Sequence, residues 1–232
     1  MRYIQKGATP VFMQDWINAR IGAGQNLRYE EFNQKPQLNE VLRIVQKHIC
    51  CYCQQRITAL KITKTIGDCH NEHLVPQNGP NGNVALQMKY SNIYASCSYS
   101  DGITEKHQYC GVVKKDDLVH PFIQDINCSS YFKYNTNGEI IPNSITYSFY
   151  EDFIANEETL GADEKRALET IRTLNLNVSY LVEERKKLQT RLFKILTVVP
   201  LARVQLKIQQ FNNDQRFYPY IDMLLYYMNK KK

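Results

Sequence analysis

The residues of this sequence whose types and spacing could do chemistry are four of its seven cysteines and one carboxylate–histidine pair. Cys50-Cys51-Tyr52-Cys53 contains a C-x-x-C, and Cys97 and Cys110 follow at a distance. Two thiolates at that spacing can bite one metal ion, because a tight turn brings both sulfurs to one side. A second pair from elsewhere completes a tetrahedron, and zinc suits such a site because it has no redox chemistry and no ligand-field preference. Cys97 and Cys110 supply the second pair, with the segment 98–102 looping out between them. The alternative for the cysteines taken alone is a chance pair of core thiols. Cys51, Cys69 and Cys128 have no partner at useful spacing and read as plain buried thiols.

Between the cysteine pairs lies Cys69-His70-Asn71-Glu72-His73-Leu74-Val75-Pro76-Gln77. On a strand, neighbours point to opposite faces, so Glu72 and His73 converge only if the strand end bends. Pro76 and the loop Asn78-Gly79-Pro80-Asn81-Gly82-Asn83 permit such a bend. One side chain can then hold a divalent cation while the other activates water. The competing reading is a satisfied strand-end pair without chemistry. His70 can also face the metal and is read as structural.

The order C-x-Y-C, E-H-x-x-P, an Asn before A-S-C, then C-G-x-x-K resembles the HNH (ββα-metal, His-Me finger) nuclease family. Within it, the sequence looks like the HNH subunit of the Septu and retron-linked anti-phage systems (PtuB-like). The matching residues are Cys50, Tyr52, Cys53, Glu72, His73, Pro76, Asn92, Ala95, Ser96, Cys97, Cys110, Gly111 and Lys114. The flanks fit more loosely, through the hairpin of Phe132, Gly138, Ile140 and Pro142 and through Leu174-Asn175-Leu176-Asn177, expected to open the long helix. The resemblance implies that His73 is the general base that polarises water toward the scissile phosphate. It implies that Glu72 helps to bind Mg²⁺ or Mn²⁺, and that Asn92 fixes the hairpin loop and orients the histidine. It implies a PtuA-like ATPase as partner and, for retron-linked members, a reverse transcriptase with its RNA–DNA hybrid. The substrate class is nucleic acid, DNA or RNA, tRNA included. Imidazole titrates near neutral pH and oxygen ligands suit a hard cation, so the residue types fit the chemistry.

Members of that family often carry Asn or His directly after the last cysteine, or His three residues after it; this chain has Gly111 and Val113 there. His107, Asp116 and Asp117 are the nearby groups that could stand in. Lys114, Lys115 and His107 are expected to contact nucleic acid, the bland reading for the lysines being a solvated helix face. A second function class follows from Gly111: a zinc scaffold whose catalytic site has decayed and which docks a protein or nucleic acid. A redox protein using Cys50 and Cys53 is disfavoured, because no thioredoxin-like βαβ pattern surrounds them.

The elements that must position these residues read as α+β, mostly helical. Residues 1–48 form an N-terminal helical segment, with one helix opened by Pro10 and ended by Gly22-Ala23-Gly24, and another from about Asn39 to His48. Residues 49–128 form the nuclease core with the zinc site. This region is poor in periodic apolar residues and needs a staple. Within it, 56–62 reads as a strand. Residues 129–156 form a hairpin and connector, with Tyr131–Tyr134 and Glu139–Pro142 flanking Asn137-Gly138. Residues 157–232 form a helical region, broken at Pro200 and Pro219, expected to dock the partner. It holds 14 basic against 9 acidic side chains, +5 of the net +6, which is compatible with a nucleic-acid partner but is weak evidence for one. At 43% apolar and 22% charged residues the chain can build a sizeable core. It has no signal-like N-terminus and no membrane-length apolar run, so a cytoplasmic location with reduced thiols is expected.

Overall fold

A computed structural model describes residues 1–61 and 67–231. It is a mostly helical α+β fold with two small antiparallel sheets. Helix α1 spans Val11–Gly22, opened by Pro10 and ended at Gly24 with φ +65°. It places Met13 in the core and lays Trp16 edge-on against Phe32, 5.3 Å between ring centres.

Helix α2 spans Lys35–Val45, four residues earlier than expected at its start. Pro36 lies inside its first turn, where a missing N–H costs nothing. Lys47 and His48 both adopt positive φ and stop it before His48.

Strand β1, Cys69–His73, pairs antiparallel with β2, Ile93–Cys97. The register sets His70 opposite Ser96, Glu72 opposite Tyr94 and His73 opposite Ile93. A short helix α3, Gly111–Lys114, follows and packs on β2. Helix α2 covers the other side of the hairpin, through Asn39 to Asn71 at 2.8 Å and the Cys69 thiol to Asn39 at 3.4 Å.

The strand expected at 56–62 is not formed over its described residues; Ile62 lies outside them. Arg56 and Leu60 make isolated bridges only, to Ile49 and Cys69. The Asp68 carboxylate takes the N–H groups of Thr58 and Ala59, at 2.7 and 3.1 Å, donors that a regular ladder would have needed.

The later hairpin forms where the sequence placed it, β3 Phe132–Tyr134 against β4 Ile140–Pro142. Asn135 closes its turn by accepting from the N–H groups of Asn137 and Glu139. Gly138, at φ +86°, sits so close to Val182 that any side chain there would strike its carbonyl.

Then come α4 Tyr150–Ala155, α5 Ala162–Thr173, α6 Ser179–Val198, α7 Leu201–Asn213 and α8 Ile221–Met228. Asn175, at φ +47°, turns the chain between α5 and α6. Leu174-Asn175-Leu176-Asn177 is therefore a brace rather than the start of a helix. Asn175 donates to the carbonyls of Lys106 and Gln108, and Asn177 exchanges two hydrogen bonds with Ile140.

The main core draws on every part of the chain: Met13, Leu38 and Leu42, then Ile57 and Ile93, then Ile171, Leu174, Leu181, Ile221 and Met223. The C-terminal helices thus help to hold the cysteine region. Gln54, next to the C-x-x-C, pairs with Asp222 of α8 through both its amide atoms, at 2.6 and 3.1 Å. Among the described residues no helix is long and apolar enough to cross a membrane.

Candidate metal centre and strand site

The C-x-x-C turn is built on backbone hydrogen bonds. Cys50 N–H donates to Gln55 and Gln54 N–H to Cys50, with Gln54 at φ +66°. Cys97 arrives at the end of β2. Cys110, at φ +59°, precedes α3 and is tied by its N–H to the Leu174 carbonyl at 2.9 Å. The four sulfurs of Cys50, Cys53, Cys97 and Cys110 all lie within 4.8 Å of one another and are buried. Cys50 and Cys110 are 3.9 Å apart, Cys53 and Cys97 3.6 Å. Bonds of about 2.3 Å from a tetrahedral ion would set neighbouring sulfurs about 3.8 Å apart.

The backbone N–H groups of Cys97 and Gln55 also approach the sulfurs of Cys50 and Cys53, at 3.3 and 3.5 Å. Such donors stabilise thiolates. Burial acts to raise all four thiol pKa values, and only at Cys50 do hydrogen bonds from Cys110, Cys51, Cys53 and Cys97 overcome it. A dication is what would let the remaining thiols ionise together, so the donor set fits a metal ion. All seven cysteines are free of disulfides.

The pleat of β1 divides the histidine segment between two faces. The expected bend is absent, because the ladder stays in register through His73 and Ile93. Glu72 faces the cysteine turn and α3. Its Oε1 accepts from Tyr52 at 3.3 Å and pairs with Lys114 at 3.1 Å, while its Oε2 lies 3.0 Å from His70 Nε2. Burial would raise the Glu72 pKa, but His70 and Lys114 hold it below the ordinary carboxylate value. The group is an anion in the fold.

His73 faces α2. Its Nε2 lies 3.0 Å from the Gln87 carbonyl, its Nδ1 3.1 Å from the Gln77 side-chain amide, and its ring stands edge-on to Tyr29. A carbonyl only accepts, so Nε2 carries the proton and Nδ1 keeps the lone pair. Burial holds the His73 pKa below the ordinary histidine value, so the ring is neutral at neutral pH.

Asn92 ends the loop that follows β1. Its amide donates to the Val75 and Leu86 carbonyls and its oxygen accepts from Val75 N–H, at 2.9, 3.2 and 2.8 Å. The same loop carries Gln77 and Gln87, so Asn92 fixes both groups that hold His73. Asn92→Ala leaves several buried groups without partners at about 1–3 kcal/mol each. A loss of about 2–4 kcal/mol in chemical denaturation is the expected result, and a change under about 1 kcal/mol would rule out the bracing role.

The expected nucleic-acid contacts divide differently. Lys114 is fully buried and donates to the His73 carbonyl at 3.0 Å as well as pairing with Glu72. It is neither on a solvated face nor at a surface a phosphate could reach, because the buried carboxylate has drawn it inward. Lys115 is exposed and paired with Glu105, and His107 is exposed on the loop before Cys110. Asp116 and Asp117 are exposed too.

His70, read from sequence as structural, is the group beside Glu72. The signal was present: residues two apart on a strand share a face. Gly111 lies against this pair, and a Cβ on it would fall well inside contact distance of Glu72 Oε2 and His70 Nε2.

No protein-family model matches the chain. It is 27% identical over 205 residues, 85% of its own length and 87% of the other's, to a protein named "Retron Vc95 putative HNH endonuclease" from Vibrio cholerae serotype O1 biovar El Tor. That likeness supports the resemblance to HNH endonucleases, in a retron context, that the motifs around Cys50, Glu72-His73 and Cys97 carry.

Proposed function

From that likeness and the site geometry, we propose that the chain is a metal-dependent HNH endonuclease that hydrolyses phosphodiester bonds as the effector of an anti-phage complex. The observation that carries this reading is the state of His73. Its Nε2–H is fixed on a backbone carbonyl, and its Nδ1 lone pair faces the side-chain amide of Gln77. Swinging that amide aside exposes a neutral, oriented base to water, as general-base catalysis requires.

In this reading β1, β2 and α3 are the ββα core, and zinc is the ion of the four-cysteine site, holding α3 and the C-x-x-C turn against the hairpin. Glu72 is the carboxylate that binds Mg²⁺ or Mn²⁺; it and His73 lie on opposite faces of β1, so the two act on one phosphate only when the strand end bends as substrate binds. Such a cation supplies positive charge to the phosphate and to the leaving oxygen. Lys114 keeps Glu72 ionised and ties it to the backbone of His73, so the two groups move as one unit. Asn92 and Gln87 hold the imidazole in one tautomer and one orientation. Lys115 and His107, at the surface, are left to approach the nucleic-acid backbone.

Cleavage of plasmid DNA, single-stranded DNA and total tRNA with Mg²⁺ or Mn²⁺ identifies the substrate. Run in ¹⁸O-water, hydrolysis by a His73-activated water puts one ¹⁸O on the new terminal phosphate. An RNA product ending in a 2′,3′-cyclic phosphate, without ¹⁸O, would sink the assignment.

The proposed partners are a PtuA-like ATPase and a reverse transcriptase with its RNA–DNA hybrid. The end of α6 and the start of α7 leave Ile195, Val198, Leu201 and Leu206 exposed, a surface suited to a protein partner. Val198→Glu with Leu206→Glu is expected to abolish co-purification of the ATPase while leaving the melting temperature unchanged. Undiminished co-purification would move the docking surface elsewhere.

A further inference from the structure

We infer that His70, together with Glu72, forms the protein's ligand pair for the divalent cation, so that both protein ligands come from one face of β1 and none from α3. The inference rests on the nuclease reading for the presence of a cation, but its geometry is independent of that reading.

His70 Nε2 and Glu72 Oε2 are 3.0 Å apart. Two donors bound side by side on an octahedral ion, each at about 2.1 Å, are about 3.0 Å apart. The spacing seen is thus the edge of a coordination polyhedron, already formed by the i, i+2 relation on a strand. A bare hydrogen bond would give the same separation, so the surroundings of the pair decide. Three features favour the ion.

The first is the partner of the other ring nitrogen. His70 Nδ1 lies 2.9 Å from the Ser98 hydroxyl, itself buried. Without a cation, Nε2 donates its proton to Glu72 and Nδ1 accepts from Ser98. With a cation on Nε2 the proton must sit on Nδ1, and the same hydroxyl then accepts it. Ser98 serves both tautomers, as a backbone carbonyl or a backbone N–H could not.

The second is space. Gly111 opens α3 directly against both donor atoms, and a Cβ there would strike both of them. The glycine is what lets the strand, rather than the helix, supply the ligands.

The third is access. The Glu72 side chain is 8% exposed, whereas His70 is 31% exposed. The pair is reached from solvent on the His70 side, the side on which a hard cation would keep its water ligands.

The test is Mn²⁺ binding to the zinc-loaded full chain, followed by electron paramagnetic resonance, with zinc content and melting temperature recorded on every sample. Wild type is expected to bind one Mn²⁺. His70→Ala should weaken binding at least tenfold and Ser98→Ala by about tenfold, with zinc retained. Because His73 is a second imidazole nearby, the nitrogen spin-echo modulation of bound Mn²⁺ is read in His73→Ala. It should persist there and vanish in His70→Ala/His73→Ala. Wild-type affinity in His70→Ala with intact zinc, absence of nitrogen modulation in His73→Ala, or no Mn²⁺ binding by wild type would each overturn the assignment. Mn²⁺ held through His70 in a protein that cuts no nucleic acid would uphold the ligand pair and refute the nuclease.

Discussion

Cys97→Ser is expected to unfold the central region of the protein and to leave it without its metal. The hairpin β1–β2 has only ten residues and α3 only four, too few to hold together by their own hydrogen bonds. Beyond the hydrogen bonds from Tyr52 to Glu72 and from Cys51 to Ala95, what joins them to the C-x-x-C turn is the four-sulfur cluster. Apparent binding free energies for structural zinc in small domains are about 10–16 kcal/mol, as large as the whole stability of an ordinary fold, about 5–15 kcal/mol. Losing one of four thiolates also leaves buried thiols that burial already disfavours as anions. The checks are zinc content and the far-ultraviolet circular dichroism melt, and chelation of wild type should reproduce the variant. Cys51→Ser is the control. It sits in the same turn but outside the cluster, and should keep the metal. A Cys97→Ser protein that melts like wild type would show that the cluster is not the staple.

His73→Ala should reduce single-turnover cleavage by about a hundredfold to ten-thousandfold, the usual contribution of a positioned base. The same substitution opens a buried space beside Tyr29 and frees the Gln87 carbonyl, so some stability is lost as well. His73→Gln separates the two effects. Its amide can still donate toward Gln87, but it cannot take up a proton. Equal loss of rate in both variants with a wild-type melt in His73→Gln is the expected pattern. Near-wild-type cleavage by His73→Gln would mean that the ring only packs.

Much of the site was legible because its spacing is dictated by chemistry. The pairing of Cys50 and Cys53 with Cys97 and Cys110 followed from metal-ligand geometry, and these four are the cysteines the fold brings together. The hairpin 132–142, the helix start at Pro10 and the helix break at Pro200 were legible from turn and proline physics. What was not legible depended on tertiary partners. Lys114 reads as a surface lysine until Glu72 is placed beside it. The 56–62 segment has strand composition, but Asp68 claims its donors. Helix α2 starts at Lys35 because Pro36 fits inside a first turn, where the sequence alone left it outside. His70 reads as structural from sequence because the motif is carried by the adjacent Glu72 and His73, whereas the strand period is what sets His70 and Glu72 on one face.

The most direct test of the central claim is strand cleavage by purified wild-type protein in Mn²⁺ and in EDTA, with and without the partner ATPase, with zinc measured on the same samples. The account predicts about one zinc per chain, cleavage in Mn²⁺ in at least the partner-bound state, and none in EDTA. Zinc at about one per chain with no cleavage under any of these conditions would contradict it and identify the chain as a zinc-held binding scaffold.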